Sequence, residues 1–94
     1  MNTPTQMKVS NLESSKGNKV ANQFEIDTSN GRYFQSYRSI IAYIPTNAGP
    51  IQLDERYWNY SRTTSKYRSQ FLGETTKETE RKIKEGKYIL TNLN

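Results

Sequence analysis

Neither cysteine nor histidine occurs among the 94 residues of this chain. Their joint absence removes disulfides, thiolate metal sites, ordinary zinc centres and the Ser-His and Cys-His nucleophile pairs. Catalysis would have to rest on carboxylates, Lys, Tyr or a carboxylate-held magnesium, and the nine acidic residues form no pattern of that kind. No Gly-rich turn leads into a Lys-Ser/Thr pair either. Catalytic residues, metal ligands, cofactors and enzyme activity are therefore not expected. Apolar residues are scarce, at 32% against 24% charged, so aromatic side chains must supply much of the buried area. No apolar run approaches the roughly 18 residues of a membrane span, and the first residues lack the charged and apolar regions of a signal peptide. A cytoplasmic protein with no membrane partner is the expectation.

What the chain does have is positive charge and tyrosine. Its net charge of +5 favours acidic partners such as nucleic acid. The stretch Tyr57 to Glu74 concentrates both features, holding the only Trp, three of the seven Tyr and three basic residues, with no acid before Glu74.

Residues 1–19, rich in Asn, Ser, Thr and Lys, read as a flexible arm ahead of one domain over residues 20–94. Met7 and Val9 alternate too briefly to define a strand, although such a segment can order by pairing with a sheet edge. From Val20, apolar residues at Phe24 and Ile26 alternate with Glu25 and Asp27, the period of a half-buried strand. Asn30-Gly31 then signals a hairpin. With those two residues as the loop, Ile26 faces Gln35, Phe24 faces Tyr37 and Val20 faces Ile41. The predicted core face is Val20, Phe24, Ile26, Tyr33, Tyr37 and Ile41, with Phe34 and a Glu25–Arg38 diagonal on the other side. Ile40 to Ile44 continues as a central strand that Pro45 ends, and Ile51 to Leu53 forms the third strand of an antiparallel meander.

Asp54 is a cap for a helical segment from Glu55 to Leu72, with Gly73 as its left-handed stop. At about 100° per residue, Tyr60, Thr64, Tyr67 and Phe71 fall within about 60° of one another, opposite Arg62, Lys66 and Ser69. The aromatics should pack on the sheet and the cations face out. Thr75-Thr76-Lys77-Glu78 is a capping box opening a second, surface helix over Thr76 to Glu85, anchored by Ile83, with Glu78–Lys82 and Glu80–Lys84 pairs and Gly86 as its stop. Lys87 to Leu90 reads as a last strand that can add to a free edge of the meander. The predicted class is thus α+β: a small antiparallel sheet, three strands plus a C-terminal one, against one amphipathic helix, with a second short helix on the surface.

Aromatic faces stack on bases and Arg or Lys neutralises phosphate, so the Tyr57 to Phe71 stretch invites a nucleic-acid reading. The helical projection assigns its tyrosines to packing instead. The surface left to contact a partner or a phosphate is Arg56, Trp58, Arg62, Lys66 and Arg68. Ser61, Thr63, Thr64 and Ser65 beside Arg62 and Lys66 form a hydroxyl and basic group suited to phosphate, although Ser and Thr also gather wherever helices begin.

The same residues carry a resemblance. Tyr57-Trp58-Asn59-Tyr60-Ser61, Thr63-Thr64, Lys66-Tyr67-Arg68 and Phe71-Leu72-Gly73-Glu74, with Phe34-Gln35-Ser36-Tyr37 and the closing Ile83-Lys84-x-Gly86-x-Tyr88-x-Leu90, resemble a family of short, largely uncharacterised proteins of bacteriophages and related mobile elements. The likeness spans Val20 to Asn94. It implies a viral accessory protein that binds and modulates a host or phage macromolecule, such as a host defence complex, in the host cytoplasm. Two alternatives stand beside that expectation: a basic nucleic-acid-binding module, and a homo-oligomer, favoured by the thin core, that holds a small anionic ligand.

Overall fold

The computed structural model describes residues 7–94. Its elements run β1 (Met7–Glu13), β2 (Lys19–Thr28), β3 (Gly31–Ser36), β4 (Ser39–Pro45), β5 (Ile51–Asp54), α1 (Arg62–Leu72), α2 (Thr76–Lys84) and β6 (Tyr88–Thr91). The class is α+β, as expected, but the sheet has six strands in the order β1-β2-β3-β4-β5-β6 rather than four. Every pairing is antiparallel except β5 with β6. A parallel return needs a crossover of about a dozen residues or more, which α1 and α2 supply.

Both additional strands have a physical origin. Residues 7–13, expected to belong to a flexible arm, form β1 on the edge of β2, with Lys8 opposite Asp27 and Val9 opposite Ile26; residues 1–6 of that arm lie outside the described residues. The other strand arises because the predicted continuous run from Arg32 to Ile44 breaks at Tyr37-Arg38 into the β3–β4 hairpin, in which Ser36 pairs with Ser39. Tyr37 turns the chain at φ 55°, in the left-handed region, and its N–H donates to the Asn22 carbonyl at 2.7 Å. A bulky residue is rare there, so no Gly or Asn marked the turn.

The β2–β3 register is two residues away from the predicted one. Ile26 pairs with Tyr33 and Phe24 with Gln35, leaving Ser29-Asn30 as the loop. Gly31 has moved into the strand, where it serves a different need: a Cβ there would run into the Ile44 carbonyl and come within 2.5 Å of a Tyr43 ring carbon. The shift is even, so Phe24, Ile26 and Tyr33 still share a face. Of the predicted core face, Ile41 is buried and Val20 packs against the core, but Phe24, Ile26 and Tyr33 lie away from it and Tyr37 is exposed. The helices lie on the opposite side, where Phe34, Ala42, Leu53 and Tyr88 are buried together with Ile41 and Leu12, and Phe34 stacks on Phe71 at 5.7 Å between ring centroids. Glu25 consequently meets Arg32 through two hydrogen bonds of 2.8 and 3.1 Å, and not Arg38.

The helices differ mainly in where they begin. Ser61, not Asp54, caps α1 by accepting from the Thr64 N–H at 3.2 Å, and Gly73 closes it at φ 71°. Asp54 is instead a buried tie: its Oδ2 accepts from the N–H groups of Arg56 and Tyr57 and its Oδ1 from Leu93 N–H and the Asn94 amide. Tyr60 therefore precedes the helix and is exposed, whereas Thr64, Tyr67 and Phe71 are buried as projected. The Thr75–Glu78 capping box forms in both directions. Lys82 reaches Glu74 at 2.7 Å instead of Glu78. Glu74 also accepts from Thr79 Oγ1 and the Tyr88 hydroxyl, fastening the α1–α2 turn to β6.

Candidate functional site

Of the five residues expected to form a free surface, three do stand in solvent. Arg56 is exposed in the loop after β5, and Arg62 and Lys66 are exposed one turn apart on α1. Arg68 is not among them. It is 0% exposed, with its guanidinium donating to the Trp58 carbonyl at 2.5 Å, Thr76 Oγ1 at 2.7 Å and Asn59 Oδ1 at 3.3 Å. It also lies 5.2 Å from the centroid of the Trp58 ring. Among the described residues no carboxylate pairs with it directly. Burial lowers its pKa, and the charges of Glu74 and Glu80 oppose that shift. Trp58 is accordingly half-buried as the lid of this cation, not a free stacking platform. The helical angle held the clue: Arg68 lies about 60° from Phe71 but about 120° from Arg62.

Two features that the sequence reading did not single out take the place of that surface. The first is the uncovered face of the sheet. Strand alternation and the register bring Val9, Ile26, Tyr33, Tyr43 and Ile89 onto it together with Phe24, across β1, β2, β3, β4 and β6. Tyr33 and Tyr43 stack with ring centroids 4.4 Å apart. Val9 and Ile89 are 56% and 44% exposed, and the others are half-buried. Across the regular pairings of the described residues, the one charged residue of this parity is Asp54, which is buried; past the irregularity at Asn11 the exposed Glu13–Lys19 pair ends the β1–β2 ladder. The same parity carries the uncharged Asn11, Thr28, Gln35 and Gln52, so in a chain that is 24% charged this face is set apart by its aromatic and branched residues and by the lack of charge along its regular pairings.

The second feature is a cleft of about 560 Å³ between the β3–β4 turn and the loop leading into α1. Its walls include Asn22, Tyr37, Arg38, Tyr57, Tyr60 and Thr64. Tyr37 and Tyr60 are 56% and 68% exposed, and Tyr57 and Tyr60 meet edge to face at 5.6 Å. The Thr64 hydroxyl is already engaged with Ser36 at 2.9 Å and Ser61 at 3.1 Å. Tyr60 can line the cleft because α1 begins at Arg62, behind the Ser61 cap, and not at Glu55.

Among the described residues no group of three or more His, Cys, Asp or Glu gathers to hold a metal ion, and no helix is long and apolar enough to cross a membrane. Comparison with curated proteins and with solved structures gave no match. A family model does match, over residues 7–87, from the first residue of β1 through α2. The chain belongs to this family, DUF8033, a family of unknown function.

Proposed function

We propose that the protein is a small phage-type accessory protein that acts without catalysis, by docking the open face of its sheet on a protein of the host or the phage, a component of a host defence complex being the target class implied by the resemblance. Such action belongs in the host cytoplasm. One observation carries the reading: the open face combines stacked tyrosines and branched apolar side chains, with no exposed charge along its regular pairings among the described residues. Interface centres have that composition, enriched in aromatics and depleted in charge. The test is capture from host extract, confirmed reciprocally with the purified partner, comparing wild type with Val9→Lys/Ile89→Lys. Both replaced side chains are substantially exposed, so the fold should persist while affinity falls at least about tenfold. A partner that binds the double variant as tightly as wild type, or turnover of a nucleic-acid or nucleotide substrate, would overturn the reading.

A second reading, the nucleic-acid module, rests on the exposure of Arg56, Arg62 and Lys66. It requires a mobility shift that weakens steeply with salt, and weakens further in Arg62→Ala/Lys66→Ala.

A further inference from the structure

We infer that the tyrosine cleft is a separate site for a nucleotide, with its base against the tyrosines and its phosphate on Arg38. The size fits, since 560 Å³ falls within the roughly 300–1,000 Å³ of small-molecule sites. The charge fits as well. Among the described residues, Arg38 is the only formally charged one lining the cleft, no carboxylate competes for it there, and no ion pair engages it. An unpaired guanidinium can grip a phosphate through two parallel hydrogen bonds. Tyr37 and Tyr60 project from different elements with more than half of their surface in solvent. Phenol rings so placed offer the faces on which bases stack, and their hydroxyls remain for the sugar or base edge.

The backbone supplies an independent reason. Asn22 and Tyr37 hold φ of 66° and 55°, and both line the cleft. Only one other non-glycine residue among those described, Ala48, has a positive φ. A tyrosine in this region is strained where glycine would not be, and such strain collects where a side chain is needed for function. The Tyr37 N–H bond to the Asn22 carbonyl holds the two left-handed residues together at the cleft wall.

The experiment is a titration followed by NMR shifts of the full chain, with four probes: inorganic phosphate, adenosine, AMP and a short single-stranded oligonucleotide. AMP should bind at least about tenfold more tightly than adenosine or phosphate, with shifts centred on residues 36–39 and 57–64. In Arg38→Ala, AMP should bind no better than adenosine, and Arg38→Lys should recover part of the difference. Tyr60→Ala should lose about tenfold or more for both ring-bearing probes, as stacking predicts. Tyr37→Gly should lose affinity while its Tm stays level or rises, the opposite of what a purely structural tyrosine would do. If the oligonucleotide binds far more tightly than AMP, and still depends on Arg38 and Tyr60, the source of the nucleotide is a strand; equal affinities point to a free nucleotide. Equal binding of AMP and adenosine, indifference to Arg38→Ala, or no shifts at millimolar AMP would overturn the inference. The Val9→Lys/Ile89→Lys variant should bind AMP normally, so failure of this site and failure of the sheet-face reading are told apart.

Discussion

The two faces of the sheet have similar raw material and opposite fates. On the helix side, Phe34, Ala42 and Leu53 are fully buried, and polar groups that enter, such as Arg68, Thr64 and Glu74, are mostly held by specific partners. On the other side Phe24, Ile26, Tyr33 and Tyr43 are as apolar but only half covered, and along the regular pairings of the described residues no exposed charge accompanies them. Hydrophobicity alone therefore does not say which side is the core. The molecule is 20 Å through its thinnest direction, enough for one sheet and one layer of helices. A single layer can close only one face, and the other stays open to solvent.

The largest test of this difference compares two phenylalanines one position apart in register. Phe34→Ala should cost about 3–5 kcal/mol in urea unfolding, as much as a core of this size often provides. Phe24→Ala should cost about 1 kcal/mol. Equal losses would mean that the open face is as well packed as the covered one.

Next in size is Arg68→Ala, expected to cost about 2–3 kcal/mol because the Trp58 carbonyl and Thr76 hydroxyl would lose a charged donor inside the protein. Arg62→Ala should stay within about 0.5 kcal/mol. Thermal melts of both variants would show whether the helix really divides its cations in this way.

The covered face leaves some buried polar atoms unpaired among the described residues, the Arg68 Nε and the Gln23 amide. Gln23 is fully buried beside Ser36, yet neither atom of its amide finds a hydrogen-bond partner among the described residues. Gln23→Leu should therefore stabilise the protein by about 1–2 kcal/mol, and a loss of stability would show that the amide is satisfied in solution.

Acid should also separate the two sides. Burial pushes Glu74 upward, but hydrogen bonds from Lys82, Thr79 and Tyr88 outweigh it and hold the carboxyl below its ordinary value. Asp54 is likewise pushed up by burial and brought lower by Leu93, Asn94, Tyr57 and Arg56. Both bind a proton more weakly folded than unfolded. The stability they lend is thus complete above the unfolded carboxylate pKa and is lost as pH falls through the folded values. Glu74→Gln should flatten part of the acid limb of a Tm against pH curve. Partner binding through the open face should stay flat until the fold itself begins to fail.

The smallest stability effect belongs to Val9→Lys/Ile89→Lys, about 0.5 kcal/mol or less by chemical denaturation. Its weight lies in the contrast with lost binding. A large destabilisation would mean that these side chains contribute to folding and not to a partner surface.

Much of the local architecture was legible in particular residues. Gly73 and Gly86 end α1 and α2 with φ near 71° and 75°, and the Thr75–Glu78 box opens α2, because caps satisfy backbone groups through neighbours in sequence. The burial of Thr64, Tyr67 and Phe71 followed from helical spacing. The turn at Tyr37 was not legible, since the Asn22 carbonyl that receives its N–H lies fifteen positions earlier. Nor was the strand at Met7, whose stability comes from the edge of β2. For the site, Arg56, Arg62 and Lys66 were found on the surface as expected, whereas Arg68 and Trp58 had turned toward each other.

By itself, then, the sequence determined the class of the fold, the Thr75–Glu78 capping box, the glycine stops of both helices, the burial of Thr64, Tyr67 and Phe71 on α1 and the grouping of Phe24 with Ile26 and Tyr33. All of these rest on period and on contacts a few residues apart. Only the tertiary structure decided which side of the sheet the helices cover, that Arg68 is enclosed, and that Tyr37, Tyr57 and Tyr60 share a cleft with Arg38. Those outcomes depend on how distant segments compete for the same apolar surface, and a sheet with two apolar faces and one layer of helices can be closed on either side until packing chooses.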